Sequence, residues 1–359
     1  MLVHICCSVD SHFFLQKLQA LYPHEVLRGF FYDPNIHPYS EYRLRLLDVT
    51  RSCAKLGIEL IEGAYDYEGW LQAVRGFEEE PEKGARCDIC FDNRLDVTAQ
   101  KAVELGERTI TTTLLTSPKK SMEQLRAAAK EIEEKYALDV VTPDFRTGGG
   151  TQEQFALAKR DGLYHQDYCG CLFALHVQRE NQERLADELI SPLGGQIQPE
   201  SIEYRIDLYT KIMEQEALGK PLHVRREKFL NYRLMRAFVR QGKVVVPSYF
   251  LFYSTLKRRF VKGKIEHVYD GVAPMNKEEI MFLSLTHFNA LAQTSYPSVK
   301  AMLFDPPTVE KELHVRRHFQ GEFFSLSPLI VIDDLRATKV EVFCESMIYP
   351  DVRELLATF

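Results

Sequence analysis

The chain has 359 residues, 45% of them hydrophobic, and a formal net charge of −6. That length implies two domains with enough apolar surface for substantial cores, and so mild an acidity singles out no partner. No uncharged apolar run approaches the roughly 20 residues that span a bilayer, and Met1-Leu-Val-His-Ile opens as a strand, not as a basic, cleavable leader, so a cytoplasmic protein without membrane contact is expected.

The first half alternates strand and helix. Leu2–Cys7 reads as an apolar strand, Ser11–Leu21 as a helix with Phe13, Phe14, Leu15 and Leu18 on one face, and Glu25–Tyr32 as a second strand closed by Asp33-Pro34-Asn35. Helices follow over Tyr39–Leu56, Tyr67–Val74, Phe91–Leu105, Ser121–Tyr136 and Gln152–Asp161, with strands at Ile58–Glu62, Thr109–Thr113 and from Val140. Such alternation specifies parallel strands with crossover helices, an open doubly wound α/β sheet. Ligands in such sheets bind outside the carboxyl ends of the strands, where Cys6-Cys7, the Asp33 turn and Thr111–Thr113 all fall.

After about residue 180 the pattern changes. Helices are expected over Asn181–Glu188, Glu203–Leu218 and Glu278–Ala292, and strands over Leu329–Asp333 and Val340–Cys344. A boundary in Pro192–Pro199 divides a catalytic domain, 1–190, from an α+β extension, 200–359. Between Lys220 and Lys264 stand 13 Lys and Arg and one acid, Glu227, a local charge of +12 interleaved with Phe229, Tyr232, Phe238, Tyr249, Phe250, Phe252, Tyr253 and Phe260. Phosphate contacts and base stacking suit such a stretch, with Arg225, Arg226, Arg258 and Arg259 foremost. The competing reading makes Phe229, Leu234 and Phe238 a helix core with its cations in water.

Six of the eight cysteines form three pairs: Cys6-Cys7, Cys87-x-x-Cys90 and Cys169-x-Cys171. In a reducing cytosol, clustered cysteines are more often metal-binding or catalytic than disulfides. Six thiolates exceed what one tetrahedral ion needs and suit an iron–sulfur cluster with ligands to spare, or two adjoining metal centres. Cys6-Cys7-Ser8-Val9-Asp10-Ser11 has the shape of the Ser-Gly-Gly-x-Asp-Ser phosphate loop of ATP-pyrophosphatases that activate tRNA bases, without the glycines that let N–H groups close on phosphate. Two thiolates and Asp10 at a helix N-terminus make a metal-binding corner there instead. Gly170 permits two sulfurs to turn inward over a short span. Cys53 and Cys344 read as buried small apolar residues, His4 as a core histidine, His37 as a contact at the start of a helix or a ligand, and Gly148-Gly149-Gly150 as a loop leading into a helix or a phosphate cradle.

His4-Ile5-Cys6-Cys7, Phe30-Phe31-Tyr32-Asp33-Pro34-Asn35-Ile36-His37-Pro38, Tyr65-Asp66, Trp70, Arg86-Cys87-x-x-Cys90, Arg94-Leu95, Thr111-Thr112-Thr113-Leu114-Leu115-x-Ser117-Pro118 and Tyr168-Cys169-Gly170-Cys171 together resemble the cobalamin-independent epoxyqueuosine reductases of QueH type, in order through about residue 175. The resemblance implies a Rossmann-like sheet of the HUP/PP-loop kind. It also implies reductive removal of the epoxide oxygen of epoxyqueuosine in tRNA to give queuosine, with a [4Fe–4S] cluster beside a mononuclear iron. The substrate base then lies in the tRNA anticodon loop, and the electron donor is unknown. Cys7, Cys87, Cys90 and either Cys169 or Cys171 are expected to hold the cluster, with Cys6, Asp10 and the remaining cysteine at the second iron. Asp10, His37 or water supplies the proton. Many members have a further cysteine, in Cys-Cys-Ala-Pro-Cys, where this chain has Asp10, a harder ligand suited to a Lewis-acidic iron. The alternatives are a metal-stapled tRNA-binding module without redox chemistry and an ATP-dependent tRNA-thiolating enzyme.

Overall fold

The computed structural model describes residues 1–118, 120–166, 168–321 and 325–358. The chain divides into two compact units, the first formed by Met1–Leu189 with Arg205–Val224 and the last residues from Leu356, the second by Ile190–Tyr204 and Arg225–Leu355. No helix among the described residues is long and apolar enough to cross a membrane.

The first unit is built on five parallel strands in the order β3-β2-β1-β4-β5: β1 Leu2–Ile5, β2 Arg28–Phe31, β3 Glu59–Glu62, β4 Thr109–Thr112 and β5 Asp139–Val140. Strand β1 is buried throughout, which is why it reads as a continuous apolar run. Helices α1 Ser8–Leu21 and α2 Tyr39–Leu56 bring Phe14, Leu18, Tyr42 and Val49 to one core. Helix α3 is Tyr67–Ala73, and α4 Ala85–Leu105 and α5 Met122–Tyr136 bring Leu95, Ala99, Ala128 and Ile132 to another. The remaining helices are α6 Gly150–Arg160, α7 Leu172–Asn181 and α8 Ile202–Ala217, whose Glu216 pairs with Arg51 at 2.8 Å and Lys55 at 2.9 Å. Because the strand order reverses at β1, its carboxyl end and that of β4 border the crevice where such sheets bind ligands.

Three helical boundaries differ from expectation. Helix α1 starts at Ser8, so Asp10 lies in its first turn with Cys7 at its N-cap. Helix α4 starts at Ala85, so Cys87 and Cys90 lie within it, not before it, and their spacing of three puts both sulfurs on one helical face. The expected Asn181–Glu188 helix is instead the end of α7 followed by a turn and a short 3-10 segment at Asp187–Leu189. Arg179 and Arg184 of that stretch pair with Glu188 and Asp187, which folds it back on itself.

The second unit holds two four-stranded sheets, β10-β11-β12-β8 and β7-β6-β13-β9. The strands are β6 Leu222–Gln241, β7 Val244–Val246, β8 Ser248–Phe250, β9 Phe260–Lys264, β10 Val272–Pro274, β11 Met281–Ser284, β12 Leu329–Ile332 and β13 Lys339–Thr358. Helices α9 Leu285–Ala292, α10 Val299–Phe304 and α11 Val309–Gln320 complete the α+β extension. The basic stretch begins as a 20-residue strand, which removes the helix reading of Phe229, Leu234 and Phe238. Ala237 and Val239 face a core that also takes Val340, Val342 and Cys344, while Arg236, Phe238 and Arg240 face the other way, the period-two signature of a strand. Glu278–Ala292 is likewise not one helix: β11 pairs with β10 and β12, and Ser284 then caps α9 by accepting from the His287 N–H at 3.2 Å.

Candidate metal centre

The crevice at the ends of β1 and β4 contains two adjoining cavities. The first is lined by Cys6, Cys7, Asp10, Arg45, Arg94, Lys120 and Cys169 among others. Ligand atoms of Cys6, Cys7 and Asp10 all lie within 4.8 Å of one another: the Cys6 sulfur is 3.9 Å from that of Cys7 and 3.9 Å from Asp10 Oδ2. Gln154, delivered by α6, donates to Asp10 Oδ1 at 2.6 Å, which leaves Oδ2 turned toward Cys6. Burial raises the Asp10 carboxyl above its ordinary range. The Cys7 thiol is raised too, first by its contact with Cys6 and then by burial and the nearby Asp10. Thiols that ligate a cation here would lose their protons on binding.

The second, smaller cavity is lined by Cys87, Cys90, Cys169 and Cys171 together with Asn35, Trp70, Arg94 and Lys120. Cys169, Arg94 and Lys120 line both cavities. Burial pushes Cys90 and Cys87 up and Cys171 to about 12. Cys169 goes the other way. Burial raises it, but the Lys120 ammonium, donating to its sulfur at 2.8 Å, more than offsets that.

The turn carrying Cys169 and Cys171 is held from several sides. Arg45 donates to the carbonyls of Cys169 at 3.0 Å and Tyr168 at 3.2 Å, and is itself paired with Glu41 at 2.7 Å. The His37 N–H donates to the Gly170 carbonyl at 2.8 Å. Gly170 has φ +104°, and a Cβ there would lie 2.9 Å from Ile36 Cγ1 and 3.1 Å from Arg45 Nη1, so the position needs glycine on both counts.

Of the residues expected at the site, Cys6, Cys7 and Asp10 share the first cavity, Cys87, Cys90 and Cys171 the second, and Cys169 borders both. His37 lines neither; its ring stacks on Tyr67 with centroids 5.0 Å apart. His4 is wholly buried, 2.8 Å from the Thr112 hydroxyl, a core histidine as read. Cys53 and Cys344 are buried in separate cores. Arg45, Lys120 and Gln154 were not anticipated, since each comes from a different element and none sits in a cysteine motif. Lys120, two residues beyond Ser117-Pro118, carried the only local signal.

The donor set fits the metal centres that the resemblance implies. Four sulfurs around one cavity match a four-iron cluster, and two sulfurs with a carboxylate match a single harder iron. Both side-chain amide atoms of Asn35 are buried at the second cavity without a hydrogen-bond partner among the described residues, and the indole N–H of Trp70 there donates to the Cys90 thiol. A buried amide is seldom left unpartnered, and an N–H donor bordering a thiol-lined cavity is what cluster sulfides accept from.

Residues 1–177 match the model of a family described as Epoxyqueuosine reductase QueH. A Helicobacter pylori protein of that name is 40% identical over 348 residues, which cover 93% of this chain and 94% of that protein. A Thermotoga maritima protein of the same name is 35% identical over 188 residues, 52% of this chain and 95% of that protein. Nearly half of the present chain therefore has no counterpart in the latter. Among solved structures, a U34-tRNA thiolase from Methanococcus maripaludis, determined with its [4Fe–4S] cluster, overlaps at a TM-score of 0.33 and 17% identity, covering 60% of this chain and 73% of that one. So loose an overlap carries no argument.

Proposed function

The chain belongs to the epoxyqueuosine reductase QueH family and is an oxidoreductase, and from that premise we propose that it removes the epoxide oxygen of epoxyqueuosine in tRNA to leave queuosine. The observation that carries this reading is the gathering of six thiols and Asp10 on two adjoining cavities at the switch point of the sheet. We assign Cys87, Cys90, Cys169 and Cys171 to a [4Fe–4S] cluster and Cys6, Cys7 and Asp10 to a single iron. This moves Cys7 from the expected cluster set to the iron, and both Cys169 and Cys171 to the cluster, because the Cys7 sulfur lies with Cys6 and Asp10 and does not line the second cavity. When bound, such a pair supplies electrons one at a time and a Lewis acid for an oxygen.

Taking the oxygen out as water requires two electrons and two protons. The residues of the chain set the conditions for that exchange. Lys120 and Arg94, both buried and common to the two cavities, offset thiolate charge that would otherwise be costly in a low dielectric. Gln154 fixes which oxygen of Asp10 faces Cys6, and Arg45 fixes the Cys169 turn, the outer layer of contacts that orients metal ligands. The first cavity is the larger and is the one we assign to the modified base. The tRNA anticodon loop is a polyanion, so its affinity rests on Lys and Arg contacts and is steeply salt-dependent.

Protein purified without oxygen should hold four or more irons with matching sulfide and convert epoxyqueuosine-tRNA once given a one-electron reductant. A single zinc without sulfide would sink the reading. ATP binding measured by calorimetry would favour a tRNA-thiolating enzyme instead.

A further inference from the structure

One face of the sheet β7-β6-β13-β9 packs into a core through Val239, Val261, Val340, Val342 and Cys344. The opposite face is not the plain charged surface usual for a half-buried sheet. Phe238 of β6 and Phe343 of β13 lie with ring centroids 5.1 Å apart and planes within 6°. Phe343 sits directly opposite Phe260 of β9 in the register, and Phe260 is 40% exposed. Three rings thus form one row across three strands. Single exposed apolar residues are commonplace, but an ordered row is a surface with a use.

Cations flank the whole row. The Arg236 guanidinium lies 5.8 Å from the Phe238 centroid and 5.5 Å from that of Phe343, Arg240 lies 5.4 Å from Phe238, and Lys262 lies 5.4 Å from Phe260. Arg259, Lys264 and Lys339 are exposed in the same three strands or just before them. Two carboxylates, Glu341 and Glu345, answer six cations, and they pair with Arg240 at 3.2 Å, Lys262 at 2.6 Å and Arg259 at 2.9 Å. Among the described residues, Arg236, Lys264 and Lys339 have no carboxylate partner.

We propose that this face is a docking surface for unpaired nucleotides of RNA, a site separate from the thiol-lined cavities. It rests on the tRNA reading above only for which RNA docks. Phe260, the exposed end of the row, and the Arg236 guanidinium over the Phe238–Phe343 pair are the groups on which a base would stack, and the excess cations suit the phosphates between bases. A duplex hides its base faces in its own stack, which restricts the partner to a single-stranded segment such as a loop or an end. A lipid surface would leave the ordered rings without purpose, and an acidic protein segment would not need them flat.

The test replaces Phe238, Phe343 and Phe260 together with leucine (Phe238→Leu, Phe343→Leu, Phe260→Leu) in the full chain, keeping apolar area while removing flat rings. Binding is read by fluorescence anisotropy with an unmodified tRNA and with a single-stranded RNA decamer, alongside thermal melting and iron content. Affinity for both RNAs should fall at least about tenfold, since each lost stack costs roughly a factor of five to a hundred, with iron unchanged. Should that variant fail to fold, Arg236→Gln with Lys264→Gln decides, and the slope of log affinity against log salt should shrink by roughly 0.7 per cation removed. A folded triple variant with unchanged affinity overturns the proposal, as does an unchanged salt slope in the cation pair. Wild-type protein that self-associates, with a monomeric triple variant of undiminished RNA affinity, would make the face a contact between copies and also overturn it. RNA bound through this face by an enzyme that leaves epoxyqueuosine untouched would defeat the functional reading alone.

Discussion

In the crevice at the ends of β1 and β4, charge is buried. Arg45, Arg94 and Lys120 are each less than a tenth exposed, and they face a carboxyl and several thiols that burial pushes upward, while Lys120 pulls Cys169 down. On the outer sheet face of the second unit charge is exposed, and much of it is already matched: Glu341 and Glu345 reach Arg240, Lys262 and Arg259. Arg225 and Arg226, which the local charge count put foremost, pair with Glu227 and Glu354. Ion pairs at an exposed site are worth about 0–1 kcal/mol and exchange readily for phosphate, whereas a buried cation facing potential thiolates is fixed by the fold. The first region is therefore read from which ligands converge, and the second from what is left uncompensated beside flat rings.

The largest effect that can break this comparison lies at the thiols. Serine at Cys87, Cys90, Cys169 or Cys171 should strip acid-labile sulfide and cut turnover by at least about 100-fold, because an under-coordinated centre is lost and not merely weakened. Asp10→Ala should instead keep the sulfide and the visible absorbance while losing one iron and the activity. A near-normal rate for Asp10→Ala would remove the second centre from the account.

The second unit also buries a charge, and there the protein itself satisfies it. Glu312 accepts from the Tyr249 hydroxyl at 2.7 Å, the Gln196 amide at 2.5 Å and the Phe252 N–H at 2.5 Å, and burial still pushes its pKa up to about 7. Its folded value lies above the ordinary 4.5, so between those limits the folded state holds the extra proton. Stability is full below about pH 4.5 and falls by about 3 kcal/mol as pH rises through 7. Urea unfolding of Glu312→Gln at pH 4.5 and pH 7.5 should show that pH dependence largely gone. A wild-type profile flat over this range would refute the assignment.

Gly170→Ala sharpens the contrast at a smaller scale. The positive φ and the close approach of Ile36 should cost about 1–3 kcal/mol in thermal melts and lower iron loading, since the Cys169 turn moves with it. Smallest at the site are Cys53→Ser and Cys344→Ser, which should also cost about 1–3 kcal/mol of stability for a buried hydroxyl but leave iron content unaltered; iron loss in either would mean the site reaches further than the crevice.

Much of the first unit was legible in the sequence because a parallel sheet puts strand ends on one edge, so motifs after β1, β2 and β4 had to converge. What local reading missed there came from distant elements: Gln154 arrives on α6 and Arg45 on α2, each recognisable only once the sheet places them. The Asp33–Pro38 turn was seen, but the contribution of His37 is its backbone N–H to Gly170 and not its ring. In the second unit the alternation in β6 is masked by long cationic side chains with little preference between strand and helix. The acids that pair with Arg226, Arg240, Arg259 and Lys262 stand about a hundred residues later, on β13. No window over Lys220–Lys264 contains them.

The division of ligands between the two cavities is tested most directly by anomalous iron diffraction from crystals grown and frozen without oxygen. The expected result is a compact group of four irons bounded by Cys87, Cys90, Cys169 and Cys171 and one separate iron within bonding distance of Cys6, Cys7 and Asp10. A single centre, or a cluster that takes Cys7 as a ligand and leaves Asp10 without metal, would contradict it.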